Sequence, residues 1–296
     1  MTGWIEETLH DDMRLRLKAD RILYDSQTPY QRIVLFENAT FGRVLSLDDV
    51  VQTTEGDEFI YHEMLTHLPI LAHGAARRIL IIGGGDGGML EEALKHRDVE
   101  QVTLVEIDPG VIELSKRYLR GICGQAFDDP RTDLVIADGV DYVTREKVPF
   151  DIVIVDSTDP IGPGEALFTA EFYRGCKASL APGGILVTQN GVPFLQGAEL
   201  QGTLACLRPL FADATCYLAT VPSYAGGPMA FGWGTDAAAL RRTPVEVLAA
   251  RFKAAAIATR YYTPEVHRGA FALPGYIARL AAGSGSDLQE SPLRTF

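Results

Sequence analysis

Four acidic side chains occupy places where a folded chain could bring them together. Asp86 lies inside Gly83-Gly84-Gly85-Asp86-Gly87-Gly88. Glu106 closes the run Val102-Thr103-Leu104-Val105, Asp138 follows Leu134-Val135-Ile136, and Asp156 follows Ile152-Val153-Ile154-Val155. Each run is short and apolar, as a buried strand is. In an open parallel sheet ligands bind beyond the carboxyl ends of the strands, so the four acids are expected in one crevice. A single strand-end Asp is usually a turn residue or a helix cap. Four consecutive strands ending this way are harder to attribute to capping.

The glycine run satisfies G-x-G-x-x-G through Gly83, Gly85 and Gly88, just after the apolar strand Arg78 to Ile82 and just before a helical stretch from Met89 to His96. Glu106 comes 18 residues after Gly88. That context fits a nucleotide site: the glycines let a ligand approach the backbone, and the acid accepts from ribose hydroxyls. It does not by itself separate a dinucleotide from an adenosyl-sulfonium ligand. Asp86 does. A carboxylate in this loop repels a pyrophosphate, and equally the carboxylate of an amino-acid ligand such as S-adenosylmethionine. It welcomes an adenosyl ligand with a free amine and no carboxylate. The plainer alternative is that Asp86 only caps the helix.

The elements that must position these groups follow from periodicity. Residues 14–18 and 43–48 alternate with period two, Ile33 to Phe36 is a short buried run, and residues 37–42 read as a hairpin connection. From Asp57 to Leu71 the apolar positions Phe59, Ile60, Met64, Leu65, Leu68 and Leu71 fit one helix face. Strands and helices then alternate. A helix at residues 111–119 follows the second strand, and a helix at 172–180 is stopped by Pro182-Gly183-Gly184 before the strand Ile185 to Val187. Continuous apolar strands alternating with helices imply a parallel sheet covered on both faces. The expected fold class is α/β: an N-terminal β-strand domain over residues 1–56 and a Rossmann-like, class I methyltransferase-like doubly wound domain over 57–296. Only the last dozen residues, around Ser284-Gly285-Ser286, read as a loose tail.

Composition excludes other classes. The 296 residues carry 27 Lys plus Arg against 39 Asp plus Glu, a net charge of −12. So acidic a chain lacks the footprint of a nucleic-acid or anionic-membrane binder. Cys123, Cys176, Cys206 and Cys216 form no C-x-x-C pair, which speaks against a zinc knuckle and for a reducing compartment. The N-terminal residues lack a basic region followed by an apolar one, and no apolar run approaches the ~18 residues of a membrane span, so a cytoplasmic protein is expected. His62-Glu63-Met64-Leu65-Thr66-His67 only imitates a zinc-protease helix. Its histidines are five apart, about 140° around a helix, and cannot share a metal. Ser157 lacks the G-x-S-x-G elbow of a serine hydrolase.

Longer stretches carry a resemblance. Residues 51–64 (Val51 to Met64), Ile81 to Gly88, Val105-Glu106-Ile107-Asp108 and Asp156-Ser157-Thr158-Asp159-Pro160-Ile161-Gly162-Pro163, with Pro29-Tyr30-Gln31 and Arg260-Tyr261-Tyr262, resemble the polyamine aminopropyltransferases, in particular their bacterial spermidine-forming branch. The match runs in order from about His10 to Pro274.

The resemblance implies transfer of an aminopropyl group from decarboxylated S-adenosylmethionine to putrescine, giving spermidine and 5′-methylthioadenosine. No prosthetic group and no metal enter this scheme. It implies that Gln31, Glu106, Asp138, Gly139 and Pro163 hold the nucleoside, with Glu106 on the ribose and Asp138 on the adenine amine. Asp86 would hold the propylamine. Tyr61, His62, Asp159 and Tyr224 would line the diamine channel, Asp156 would be catalytic, and Gln52 and Trp233 are second-line candidates. Partners would be these small molecules and further copies of the chain, as a homodimer or homotetramer.

Two departures bear on the acceptor pocket. His62 stands where many relatives carry Gln, and residues 189–194 (Gln189 to Phe194) differ from the usual Glu-Ser pair after that strand. Acceptors such as cadaverine or spermidine therefore stay open. Rival readings are an S-adenosylmethionine methyltransferase on the same fold, which Asp86 opposes, and a non-catalytic polyamine- or nucleoside-binding protein, which would not need Asp156.

Overall fold

The computed structural model describes residues 3–145, 148–158 and 162–283, with Gly162 and Pro163 in their backbone only. The tail from Ser284 lies outside the described residues. The chain begins with an antiparallel ribbon of β1 (Gly3–Glu7) and β2 (Leu15–Ala19). A four-stranded antiparallel meander follows: β3 (Arg21–Gln27), β4 (Arg32–Asn38), β5 (Gly42–Leu47) and β6 (Val50–Thr54). The unbroken apolar run in β4 is explained by burial on both faces. Ile33 and Leu35 pack with Val111 and Leu114 of the helix Pro109–Tyr118, and Val34 and Phe36 pack beneath the ribbon against Ala19 and Leu17.

The larger sheet has the order β12-β13-β11-β10-β7-β8-β9. Its strands are β7 (Arg78–Gly83), β8 (Gln101–Glu106), β9 (Thr132–Ile136), β10 (Phe150–Asp156), β11 (Leu180–Gln189), β12 (Asp213–Ala219) and β13 (Met229–Thr235). Strands β7 to β11 are parallel, as the apolar runs predict, and helices cover both faces. The fold is α/β, a small β region followed by a Rossmann-like doubly wound sheet. The sheet is mostly rather than wholly parallel, because β13 runs antiparallel to both β11 and β12. The chain leaves β7 in one direction through β8 and β9 and returns on its other side with β10. The switch point is therefore between β7 and β10, where Gly83 pairs with Asp156.

Two local readings change. Helix α1 (Glu58–His73) is buried nearly all round, not along one stripe, because it lies between the sheet and further helices. The segment Pro182-Gly183-Gly184 does not stop a helix. The helix Ala170–Ala178 has already ended, and the segment bulges β11, which pairs through Leu180 and again from Ile185. Among the described residues no helix is long and apolar enough to cross a membrane.

Candidate active site

The site is built at the switch point. Gly83 and Gly84 have φ of 82° and 69°, and a Cβ on Gly83 would stand 2.0 Å from the Asp156 carbonyl oxygen. Only glycine lets the chain leave β7 so tightly against β10. The loop then enters α2 (Gly88–Leu94), where a Cβ on Gly88 would strike the His62 ring at 2.2 Å. A cavity of about 340 Å³ opens in front of this loop. It is lined by Gln31, Gln52, Tyr61, Gly83 to Asp86, Glu106, Asp138, Gly139, Asp156 and Ser157. A smaller one of about 60 Å³ is lined by Glu7, His10, Gln52, Tyr61, Asp156, Ser157, Gln189, Gln196 and Tyr224. Gln52, Tyr61, Asp156 and Ser157 belong to both walls, so the two cavities meet at Asp156.

The four strand-end acids do converge on the larger cavity. One Asp86 oxygen accepts from the Gly88 N–H at 2.9 Å, and the other lies 3.2 Å from His62 Nε2. Asp86 thus ties down the turn into α2 and also lies on the cavity wall. Burial pushes its pKa up, but His62, the Gly88 N–H and the Thr53 hydroxyl outweigh that and hold it below the usual carboxylate range.

Asp156 accepts a hydrogen bond from the Tyr61 hydroxyl. Burial and the nearby charge of Asp86 push its carboxyl up to about 7, against the opposing pull of His62 and Tyr61. Burial also raises the Tyr61 phenol, with Asp156 adding to it. Glu106 is pushed up to about 7 by burial, partly offset by the Asp108 N–H it accepts from at 2.9 Å. Asp138 caps the helix Gly139–Arg145 through the Val140 N–H at 2.7 Å, and remains exposed at the cavity rim.

Gln31 reaches the cavity from the N-terminal meander because its Nε2 donates to Asp108 Oδ2 at 3.1 Å. Asp108 also accepts from Thr28 Oγ1 at 2.7 Å and caps α3 (Pro109–Tyr118) through the Gly110 N–H. It is the bracket between the two sheets, and the residue reading gave it no role. Tyr224 lines the smaller cavity. Its hydroxyl donates to the Gln52 carbonyl and its ring meets Tyr61 edge-on at 6.0 Å.

Two expectations are corrected. His62 is not on either cavity wall. It follows Tyr61 on α1 and so points about 100° away, behind Asp86, where it is 1% exposed. Trp233 is fully buried in β13, donates to Asp213, and is on the wall of neither cavity. Asp159 lies outside the described residues. Pro163 is the second residue of the 3-10 helix Gly162–Phe168, whose Gly164, Ala166 and Leu167 line the larger cavity, and its backbone alone is described.

The second histidine of the false metal motif behaves as its spacing requires. His67 turns to His96 at 2.9 Å and Glu92 at 3.0 Å. His62, Asp86 and Asp156 each place one donor atom within 4.8 Å of the others. Carboxylates occupy both nitrogens of His62, so this cluster suits an ammonium group facing two acids better than it suits a metal ion.

Residues to which the sequence gave no role include Glu7 and Gln196 on the smaller cavity, whereas Gln189, one of the departures noted above, does lie on its wall; Ser157, on both walls, has a buried hydroxyl with no partner among the described residues. Glu7 lay in an unrecognised strand.

A glycine loop and an acid at the next strand end, placed at the switch point of this sheet, form the arrangement in which proteins of the doubly wound α/β class hold nucleotides. The chain belongs to the spermine/spermidine synthase family: residues 58–243 match its spermine/spermidine synthase domain and residues 3–55 its spermidine synthase tetramerisation domain. It is similar to the polyamine aminopropyltransferase of Ruegeria sp. (strain TM1040), 59% identical over 94% of this chain and 98% of that one. Polyamine aminopropyltransferase 1 of Pseudomonas aeruginosa is 54% identical over 95% and 99%. A crystal structure of spermidine synthase in complex with the transition-state analogue AdoDATO superposes with a TM-score of 0.89 at 36% identity, covering 95% of each chain. The spermidine synthase of Thermotoga maritima gives 0.86 at 35%, covering 95% of this chain and 94% of that one. The chain is thus an enzyme of the polyamine aminopropyltransferase type.

Proposed function

We propose that this enzyme transfers the aminopropyl group of decarboxylated S-adenosylmethionine to putrescine, forming spermidine and 5′-methylthioadenosine. The observation that carries this is the junction of two cavities at Asp156. The larger takes the donor: nucleoside against Gln31, Glu106, Asp138 and Gly139, with the propylamine against Asp86. The smaller takes the diamine, with Tyr61 and Tyr224 on its walls and Glu7 as the acid facing the far ammonium. The neutral near amine attacks the propyl carbon next to sulfur. A C–N bond forms, the C–S bond breaks, and its electron pair neutralises the sulfonium. The nitrogen then sheds a proton, which Asp156 accepts.

Proximity and alignment supply much of the catalysis, since the sulfonium is already a good leaving group. The two carboxylates at the junction stabilise the cations that approach it. A methyltransferase reading requires room for the donor's carboxylate, which Asp86 repels. The match of residues 3–55 to a tetramerisation domain supports assembly as a homodimer or homotetramer. The test is mass spectrometry of products from decarboxylated donor offered putrescine, cadaverine and spermidine in competition. Newly formed spermidine, told from the added acceptor by a labelled aminopropyl group, as the main product supports the reading. Preferred use of cadaverine or spermidine moves the acceptor, and methylated products overturn the reaction.

A further inference from the structure

His62 is buried, yet both of its ring nitrogens face carboxylates: Nδ1 is 2.7 Å from Glu58 Oε2, one helical turn earlier, and Nε2 is 3.2 Å from Asp86 Oδ2. A neutral imidazole has one N–H and one lone pair, so one of these contacts would set a lone pair against an anion. Two N–H groups satisfy both. The ring cannot turn away, because the Gly88 backbone closes one side and Tyr61 stands edge-on at 5.4 Å. The titratable groups around it are Glu58 from α1, Asp86 from the glycine loop, Asp156 from the end of β10 and the Tyr61 phenol, with Glu91 of α2 beyond Glu58. All are acids.

We propose that Glu58 is a positioning residue for donor recognition: by accepting from Nδ1 it keeps His62 an imidazolium, which in turn keeps Asp86 ionised and fixed toward the cavity across the working pH range. This rests on the reading that Asp86 meets the donor's amine. Burial alone would drive protons off His62 and onto Asp86. Instead the pull of Asp86 and Glu58 outweighs burial and raises the imidazole, and Asp86 is lowered. The triad carries one net negative charge, the complement of one propylammonium. Glu58→Gln keeps the shape but puts a neutral amide in place of the anion beside Nδ1, which removes the charge that favours the imidazolium. Asp86 then has only burial and neutral donors around it, and takes up a proton as the pH falls.

The test has two independent readouts. Nitrogen NMR of histidine-labelled wild-type protein, without ligand, is expected to show both His62 nitrogens protonated at pH 8, the signals being assigned by their loss in His62→Gln. A single protonated nitrogen overturns the proposal whatever the substrate is. Second, the affinity ratio of decarboxylated donor to methylthioadenosine cancels the nucleoside contacts. Between pH 8 and pH 6 it is expected to fall at least tenfold more in Glu58→Gln than in the wild type. Parallel profiles overturn the role of Glu58. A ratio of one in the wild type at every pH refutes the reading of Asp86, and with it the selectivity role, while the NMR result stands on its own.

Discussion

Replacing Asp156 by Asn preserves the side chain's shape and the oxygen that accepts from the Tyr61 hydroxyl, but removes the proton acceptor and one charge. The magnitude follows from the site. An aliphatic amine has a pKa near that of Lys, about 10.4, so proton transfer to an ordinary Asp is uphill by roughly 9 kcal/mol. Burial beside Asp86 sets Asp156 at about 7. That cuts the gap to roughly 5 kcal/mol, so the carboxylate becomes a serviceable base. Without it the proton must leave to water or to a more distant acid. General-base contributions of ~100- to 10,000-fold set the expected loss in single-turnover rate, with bound donor and saturating putrescine. Donor binding should survive, because the nucleoside contacts proposed above fall on Gln31, Glu106 and Asp138 rather than on Asp156. A near-normal rate in Asp156→Asn would refute the reasoning and move proton acceptance to Tyr61 or Asp159.

Tyr61→Phe removes the hydrogen bond that favours the Asp156 carboxylate, so the Asp156 titration should move above about 7 and the acid limb of the rate profile should move with it; a profile unchanged from wild type would sever that coupling. Asp86→Asn should weaken decarboxylated donor at least ~10-fold while leaving methylthioadenosine nearly unaffected, as befits loss of one charge-assisted hydrogen bond; calorimetry showing equal losses would make Asp86 a turn residue only. Glu106 has a folded pKa of about 7 against an ordinary 4.5, so its contribution to stability is full below the unfolded value and lost as pH rises through about 7. The ligand-free protein should therefore lose roughly 3 kcal/mol of unfolding free energy from this group between pH 4 and pH 8. Glu106→Gln should flatten that dependence in denaturant titrations, and should weaken methylthioadenosine at pH 8 by roughly 1.5–3 kcal/mol.

The part of the fold that could be read from residues alone is the part where burial writes a pattern. Strands β7 and β10 are covered on both faces and appear as unbroken apolar runs, and β8 as one broken only by Thr103. β3, at the edge of its meander, reads Arg-Ile-Leu-Tyr-Asp-Ser-Gln and is largely exposed, so no pattern marked it. β13 failed for another reason. It is buried throughout, but Gly232 and Gly234 interrupt it because Thr188 and Phe211 fill the space where side chains would stand. The strand-end acids were legible because topology alone sends them to one crevice. The place of His62 was not: membership of a motif does not say which neighbour on a helix faces the ligand. Tyr61 takes the cavity wall, so His62 must face Asp86. Glu58 and Asp108 were invisible as functional positions because each acts through another side chain.

The central claim is that two substrates meet at Asp156, and a structure of this enzyme with a bisubstrate analogue spanning donor and diamine tests it most directly. The account predicts the nucleoside in the larger cavity, the diamine end in the smaller, and the linking nitrogen within about 3 Å of the Asp156 carboxylate. A linking nitrogen out of reach of Asp156, or a diamine end outside the cavity walled by Tyr61 and Tyr224, would contradict it.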